Sequence, residues 1–326
     1  MPRVLSGIQP TGDPHLGNWM GAIARWAAEQ EAGHFFCIVD LHAITIPKDP
    51  AELRAKTLDL ATWLFAAGLD PDVATLFVQS HVREHSELAW VLSCTTQMGE
   101  LHRMVQFKEK AAGQQSVSVG LFTYPVLQAA DILIYQADEV PVGEDQRQHV
   151  ELTRDIAHRF NTRFGVTFTL PEATHPPAGA RVMDLQDPTA KMSKSAASQA
   201  GVILLAETEA RTTKKVMRAI TDSGSEVRAA ADKPGVTNLL DLLSAATGRP
   251  IADWEAELEG RMYGDLKKAT AEAINDYLRP ARKRHAELSQ DPAEVERMLA
   301  VGADRAREVA AATMADVRAK VGFLGA

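Results

Sequence analysis

The sequence predicts an α/β fold: an open, doubly wound parallel sheet followed by a C-terminal α-helical domain. Three features carry this expectation. Short apolar runs alternate with helix-period segments through the first two thirds of the 326-residue chain, the pattern of βαβ units. The runs are apolar throughout rather than alternating, as strands covered on both faces are. After residue 198 the strand-like runs stop and helix-period segments take over.

Residues 4–8 (VLSGI) are the first predicted strand, followed by the turn-rich QPTGDP. GNWMGAIARWAAEQEAG predicts a helix, with Met20, Ile23, Ala24 and Ala27 on one face and Gly33 as a stop signal. Residues 35–39 (FFCIV) are the second strand. DPAELRAKTLDLATWLFAAGL predicts a helix capped by Asp49, with Pro50 in its first turn. TLFVQS, from Thr75, is the third strand, and ELAWVLSC lies in the helix after it. VPVG (140–143) leads as a strand into EDQRQHVELTRDIAHRF, where Leu152, Ile156 and Phe160 recur at every fourth position. ARVMDL, from Ala180, is the expected last strand.

Beyond it, TNLLDLLSAATG, YGDLKKATAEAINDYLRPARKRHAEL and DPAEVERMLAVGADRAREVAAATMADVRAKVG predict helices. The last opens with Asp291, Pro292 and Glu294 in capping-box order. Leu266, Ala269, Ala273, Ile274, Tyr277 and Leu278 form an apolar stripe. The expected division is a Rossmann-like sheet domain over 1–198 and a helical domain over 199–326. The last helix either stays in the bundle or returns to the sheet domain.

Hydrophobic residues are 45% and charged residues 24% of the chain, the balance of an ordinary globular protein. Net charge is −8, so any nucleic-acid binding requires a local basic face. Cys37 and Cys94 are far apart and outside CxxC or Cys/His spacing. That argues against a structural metal site and a disulfide framework, and predicts two buried free thiols. The N-terminus lacks the apolar run of a signal peptide, and no stretch reaches the ~18 apolar residues of a membrane span. A cytoplasmic protein without a membrane partner is expected.

In an open parallel sheet, ligands bind at the carboxyl ends of the strands. SGIQPTGDPHLGN follows the first strand. There Gly12 and Gly17 allow close backbone approach, His15 offers a ring donor and Asn18 an amide. The helix opening near Asn18 would aim N–H groups at an anion; an ordinary glycine-rich turn has the same composition. VPVGEDQ ends a strand at Gly143 and opens a helix with Glu144, Asp145 and Gln146. These complement a helix dipole or accept hydrogen bonds from a diol or an amine. The third segment, TAKMSKSAAS (189–198), places two lysines three residues apart among small and hydroxyl side chains. It is either a solvated basic loop or a pliable cation site for phosphates. A given five-residue string such as KMSKS arises by chance in roughly one chain in ten thousand of this length, which makes it the most specific of the three.

HLGN and KMSKS together resemble the two signatures of the class I aminoacyl-tRNA synthetases. SGIQPTG, CIVDLHAIT, GELHRMVQFKEKAA, LFTYPVLQAADIL, VPVGEDQRQHVELTRDIAHRFN, GARVM and DPTAKMSKS resemble, in order, the bacterial tryptophanyl branch of that class. The resemblance covers essentially the whole chain. Tyrosyl enzymes share the architecture, but VGEDQ and the intact KMSKS suit the tryptophanyl branch better.

The resemblance implies two steps. ATP, as its Mg²⁺ complex, activates L-tryptophan to tryptophanyl-adenylate and releases pyrophosphate. The aminoacyl group then passes to the terminal ribose of tRNA(Trp), releasing AMP. Catalysis would be positioning plus stabilisation of phosphate charge, with no structural metal. Lys191 and Lys194 are implied to neutralise the departing pyrophosphate, with Lys110 as a third cation. His15 and Asn18 would hold the nucleotide. Gln9, Pro10, Thr11, Gly17, Ser193 and Ser195 would line its site. Gly143, Glu144 and Asp145 would meet the ribose, and Val182 and Met192 would offer backbone contacts to adenine. For the amino acid, the resemblance implies Asp131 as acceptor of the indole N–H, with Leu5, His42, Tyr124, Gln128 and Gln146 around it. An indole N–H is a lone donor. A carboxylate acceptor rejects phenylalanine, because its own desolvation then goes uncompensated. A homodimer formed through an insertion in the first domain is also implied, with one tRNA bridging the subunits and the helical domain receiving its anticodon. RPARKRH (279–285), with Lys267 and Lys268, is the candidate basic face.

Four positions depart from the pattern. Leu5 stands where an aromatic is usual, Leu41 where a Gln is, and Gln128 where a Met is. His15 stands where this branch often has Thr. Leu5 removes ring stacking of about 0.5–1.5 kcal/mol, and Gln128 adds a polar group. The pair implies a retuned pocket, as in a second copy tolerant of a tryptophan-mimicking inhibitor. Two rivals have to be weighed. One is an adenylating nucleotidyltransferase of the same fold, against which the large helical domain argues. The other is a duplicate that binds tRNA or protein without activating anything, against which the intact His15, Asn18, Lys191 and Lys194 argue. Lys194→Ala is expected to slow single-turnover adenylate formation by at least ~10²-fold with the tryptophan Kd unchanged, as for a contact made mainly in the transition state. Loss of tryptophan binding alone would remove Lys194 from that role.

Overall fold

Among the described residues, five short strands, all parallel, form one sheet. They are β1 (Val4–Ile8), β2 (His34–Ile38), β3 (Thr75–Val78), β4 (Glu139–Pro141) and β5 (Glu172–Thr174), in the spatial order β3-β2-β1-β4-β5. The computed structural model describes residues 2–111, 116–174, 182–193 and 198–325, without the side chains of 109–111. Growth of the sheet reverses at β1: β2 and β3 add on one side, β4 and β5 on the other. The crevice beyond the carboxyl ends of β1 and β4 is therefore the topological switch point.

The first two strands lie where the apolar runs place them, to within a residue, and the third starts at Thr75 as expected but ends two residues early, at Val78, where Gln79 opens a 3₁₀ turn. The expected last strand, ARVMDL, does not join the sheet. Its first two residues lie outside the described ones. Met183 makes one antiparallel bridge, to Lys191, and Asp184 N–H donates to Ala190 O at 2.9 Å. The run is apolar because Val182 and Leu185 are buried, not because it is a sheet strand. The fifth strand is instead EAT, three residues that carry no apolar run and so escape a search for buried strands.

The helix expected after β1 is broken into three pieces. These are α1 (Leu16–Asn18), a π-helical turn (Trp19–Ile23) and α2 (Ala24–Glu29). Leu16, Trp19, Ile23 and Trp26 still share one buried face. Short helices α3 (Asp40–Ala43), α6 (Met98–Arg103) and α7 (Val105–Ala111) alternate with the longer α4 (Pro50–Ala66), α5 (Glu84–Ser93), α8 (Val119–Leu133) and α9 (Arg147–Phe164). The helical part comprises α10 (Glu209–Met217), α11 (Pro234–Thr247), α12 (Ile251–Glu257), α13 (Tyr263–Leu288) and α14 (Pro292–Val321). The expected caps are present. Asp49 accepts from Glu52 N–H at 2.9 Å and Asp291 from Glu294 N–H at 3.2 Å. Among the described residues no helix is long and apolar enough to cross a membrane.

Both faces of the sheet are covered. One cluster joins Phe36 and Ile38 to Leu60, Trp63 and Leu64 of α4, then runs on through Leu239, Leu266, Ile274 and Leu278. The core is thus continuous across residue 198. The other joins Leu5, Phe35 and Phe77 to α5, α8 and α9. Helix α14 belongs to both: Val295 and Leu299 enter the first cluster, Ala303, Ala306, Ala310, Met314 and Val317 the second. It crosses the open side of β3, an edge that would otherwise invite pairing with another chain. Gly302 sits at the crossing, where an added Cβ would fall 1.8 Å from Leu76 O.

Two further expectations are corrected. Cys37 is buried, but Cys94 is exposed. The RPARKRH stretch is largely engaged within the protein. Arg279 pairs with Glu209 and Asp276 at 2.8 and 2.7 Å. Arg282 donates to Leu205 O at 2.9 Å and Thr212 Oγ1 at 3.0 Å. His285 stacks on Trp63, centroids 3.9 Å apart, with Nε2 2.9 Å from Asp59. Arg279, Lys268, Lys283 and Arg284 are exposed cations of this face, and Arg284 pairs with Glu287 at 3.3 Å.

Gly302→Ala should lower the unfolding free energy by about 1–3 kcal/mol through overpacking against backbone, read from the urea midpoint. An unchanged midpoint would mean that α14 does not seat on β3.

Candidate active site

A cavity of about 330 Å³ opens at the switch point, the small end of the range for ligand sites. Leu5, Ser6 and Gly7 of β1 and Val140 and Pro141 of β4 form one wall; Tyr124, Gln128, Asp131 and Ile132 of α8 form another. Gln9, Cys37, Val39, His42, Val142, Gly143 and Gln146 complete it. All six residues expected around the amino acid (Leu5, His42, Tyr124, Gln128, Asp131 and Gln146) line this one cavity. Two residues expected at the nucleotide, Gln9 and Gly143, stand at its margin.

Asp131 is the charged centre. It is 3% exposed, yet no lysine or arginine is paired with it among the described residues. His42 Nε2 lies 2.8 Å from Oδ2, while Gln79 Nε2 donates to Oδ1 at 2.7 Å and His85 Nδ1 lies 2.6 Å from the same oxygen. Burial pushes the carboxyl up, but the hydrogen bonds from His42 and His85 more than reverse this and hold it well below the usual carboxylate range. The carboxylate is ionised and acceptor-only. Cys37 lines the same cavity, and its thiol is held well above its ordinary value by burial first and the Asp131 charge second. It is an inert wall rather than a nucleophile. Tyr124 packs edge-on against His42, centroids 6.1 Å apart, with its hydroxyl 2.9 Å from His149 Nε2.

The turn after β1 carries Gln9, Pro10 and Thr11, and His15 is nearly buried behind it. One expectation fails here. The first amides of α1 do not face an anion. Leu16 N–H donates to Ile203 O at 2.8 Å, Gly17 N–H to His15 Nδ1 at 3.1 Å, and Asn18 and Trp19 N–H to His15 O. His15 N–H in turn donates to Asn18 Oδ1 at 3.2 Å. Because Nδ1 accepts, a neutral ring carries its proton on Nε2.

The KMSKS segment is fastened at both described ends to residues 182–185. Met192 N–H donates to Val182 O at 3.0 Å, and Leu185 N–H to Gly201 O at 3.0 Å. An added Cβ at Gly201 would strike Asp184 Oδ1 at 1.6 Å. Met192 N–H is therefore engaged and not available to adenine; its carbonyl lies 3.6 Å from where a Gly17 Cβ would be. That contact brings HLGN and KMSKS together. Lys191 is exposed, Met192 buried and Ser193 half-buried. Lys194 and Ser195 lie outside the described residues, as does the side chain of Lys110. Glu144 and Asp145 sit exposed on a 3₁₀ turn entered through Gly143, where a Cβ would fall 2.8 Å from Asp145 Oδ1.

The family model described as tRNA synthetases class I (W and Y) matches residues 1–279. The chain belongs to this family of class I tRNA synthetases. Its relatives within the family span its full length. The tryptophan–tRNA ligase 2 of Streptomyces avermitilis is 54% identical, with 100% of this chain and 98% of that protein covered. The tryptophan–tRNA ligase of Mycobacterium leprae is 53% identical, with 99% and 96% covered. The tryptophanyl-tRNA synthetase of Mycoplasma pneumoniae superposes with a TM-score of 0.88 at 39% identity, over 100% of this chain and 98% of that one. The Campylobacter jejuni tryptophanyl-tRNA synthetase complexed with ADP and tryptophan gives 0.85 at 36% identity, over 98% and 100%.

Within this class I frame, sequence reading missed the residues behind Asp131. Gln79 follows β3 at the carboxyl end of a parallel strand, a position that flags ligand contact. His85 and Tyr135 carry no comparable signal, because each reads as a buried ring on a helical segment.

The folded chain binds the Asp131 proton more weakly than the unfolded chain. The ionised group therefore adds stability above the unfolded carboxylate pKa of about 3.9 and loses it as pH falls through the folded value. Asp131→Asn should lower the urea midpoint more at pH ~7 than at pH ~3. Equal losses at both would mean that the carboxylate charge does not stabilise the fold.

Proposed function

We infer that this chain activates L-tryptophan with ATP and transfers it to tRNA(Trp). The observation that carries the reading is Asp131: an ionised acceptor paired with no lysine or arginine among the described residues, in the wall of a small cavity of mixed polar and apolar lining. Such a site suits a flat apolar ring bearing one N–H donor. Tyrosine also offers a donor, but as a phenol O–H on a shorter ring. The full-length likeness to tryptophan–tRNA ligases supports the tryptophan assignment.

ATP enters as its Mg²⁺ complex across the Gln9–Thr11 turn and Gly143. The tryptophan carboxylate attacks the α-phosphate, and pyrophosphate leaves toward Lys191, Lys194 and Lys110. His15 donates from Nε2 to the nucleotide, and Asn18 holds His15 in place. Glu144 and Asp145 accept from the ribose hydroxyls, and the Met192 carbonyl accepts from the adenine amine. A tRNA ribose hydroxyl then attacks the aminoacyl carbonyl, and AMP departs. Residues 199–326 act as the anticodon-binding domain, with Lys268, Lys283 and Arg284 on its exposed basic face.

A homodimer fits the exposed Trp90 (70%), Met98 (63%), Val105 (52%) and Val119 (77%), which sit on α8 and on the three helices packed against it, α5, α6 and α7. Leu5 and Gln128 both line the cavity, which supports a retuned pocket of the kind an inhibitor-tolerant second copy would carry. The cytoplasm is the compartment where these substrates meet.

Amino-acid-dependent ATP–pyrophosphate exchange, run against all twenty amino acids, tests the reading. Strong exchange with tryptophan alone is expected. Exchange with tyrosine instead would overturn the pocket assignment, and no exchange from folded protein would overturn the activity.

A further inference from the structure

Three buried residues stand behind Asp131 without touching the cavity. Gln79, His85 and Tyr135 are each 0% exposed, and none lines the pocket. Their bonds form a directed set. Leu41 N–H donates to Gln79 Oε1 at 3.1 Å, which fixes the flip of that amide and turns its N–H toward Asp131 Oδ1. A carboxylate only accepts, so His85 Nδ1 must donate. With Nδ1 as the donor, Nε2 lies 2.7 Å from the Tyr135 hydroxyl, within hydrogen-bond distance. Burial holds the Tyr135 phenol well above its ordinary value, so it keeps its proton. The ring of Tyr135 is itself clamped. It stacks on Phe35 with centroids 4.6 Å apart, and Phe77 meets it edge-on at 5.5 Å. The next residue, Gln136, takes a left-handed φ of 52° and is bonded through its side chain to Thr167 O and Thr169 N–H.

The two carboxylate oxygens are therefore unequal. Oδ1 accepts from both Gln79 and His85, which fills it. Oδ2 accepts from His42 alone among the described residues, and His42 and Asp131 both line the cavity. A buried polar set gives little stability that apolar side chains of equal volume would not also give, so what it contributes is geometry.

We propose that Gln79, His85 and Tyr135 are specificity-positioning residues, which saturate Asp131 Oδ1 and leave Oδ2 as the one acceptor offered to a ring N–H. This rests on the tryptophan reading and adds to it the source of the discrimination. With Oδ1 filled, the carboxylate cannot rotate to evade an unpaired ligand. With two donors fixed on it, it cannot take up a proton and become a donor itself. A ligand whose ring lacks N–H then leaves Oδ2 desolvated and unmatched, and is rejected. Remove the backing and the carboxylate turns or protonates, and the penalty against such a ligand falls.

The test compares L-tryptophan with β-(3-benzothienyl)-L-alanine, in which sulfur replaces the ring N–H, by ATP–pyrophosphate exchange on the full chain. Wild type should prefer tryptophan in kcat/KM. His85→Leu should cut that preference at least ~10-fold, through the KM for tryptophan, with the analogue's KM moving less. His85→Asn places an amide N–H near the position of Nδ1 and should restore most of the preference. Tyr135→Phe removes one oxygen from an otherwise intact protein, so it carries the test if His85→Leu does not fold. It should lower the preference about 3-fold. Equal losses for both substrates, or an unchanged preference in Tyr135→Phe, overturn the proposal and leave the tryptophan reading standing. Absence of exchange with tryptophan in wild type overturns that reading, and this proposal with it.

Discussion

An ionised carboxylate, buried with no lysine or arginine paired to it among the described residues, sets the terms for the centre of this molecule. Such a group costs several kcal/mol unless hydrogen bonds satisfy it. Asp131 on α8 is satisfied from three other places: His42 on α3, Gln79 at the end of β3 and His85 on α5. Each must arrive within about 3 Å, so the carboxyl ends of β2 and β3 are tied to the helices beside them. The four-residue α3 is too short to be stable alone. It is held by the Leu41 and His42 bonds to this cluster. The same bonds that let the charge be buried also determine the shape of the cavity in front of it.

Much of the fold is legible in the sequence because its strands are buried on both faces. VLSGI, FFCIV and TLFVQS are continuous apolar runs, and the sheet places all three at its centre or far edge. EAT and ARVMDL mark where that reasoning stops. A three-residue strand at the other edge needs no apolar run, whereas a hairpin arm packed under the lysine loop does. The pocket was legible to the extent that its residues sit on recognisable segments. Leu5, His42, Tyr124, Gln128, Asp131 and Gln146 converge as expected. Gln79, His85 and Tyr135 were not legible, because their meaning lies in bonds between distant parts of the chain. The amides of α1 were misread for a related reason: sequence places a helix start there but cannot show that Ile203 and His15 already accept from it.

The two signatures, far apart in sequence, are one structural unit. Pro14 and Leu16 bond to Leu205 and Ile203, so the first signature is laced to the chain just after the second. With the helix amides engaged, positive charge for the triphosphate proposed to bind here would have to come from side chains, the role proposed for the lysines of the loop. Gly201 and Asp184 fasten one side of that loop, and Met192 and Val182 the other. Any movement of Lys191 is therefore transmitted to residues 182–185, and through Asn238, which bonds both N–H and carbonyl of Met183, to α11. A mechanical link thus joins the nucleotide side to the helical part without passing through the sheet.

Helix α14 covers the edge of β3 and reaches both faces of the sheet, yet residues 292–321 are translated after everything they cover. During synthesis the sheet emerges early and waits, with an open strand edge and two unfinished apolar faces, for more than two hundred residues to follow β3. The nascent chain is thus an aggregation-prone intermediate and a ready client for chaperones. A premature stop between residue 201 and α14 would release a chain that carries every residue proposed for the chemistry but whose sheet cannot be closed.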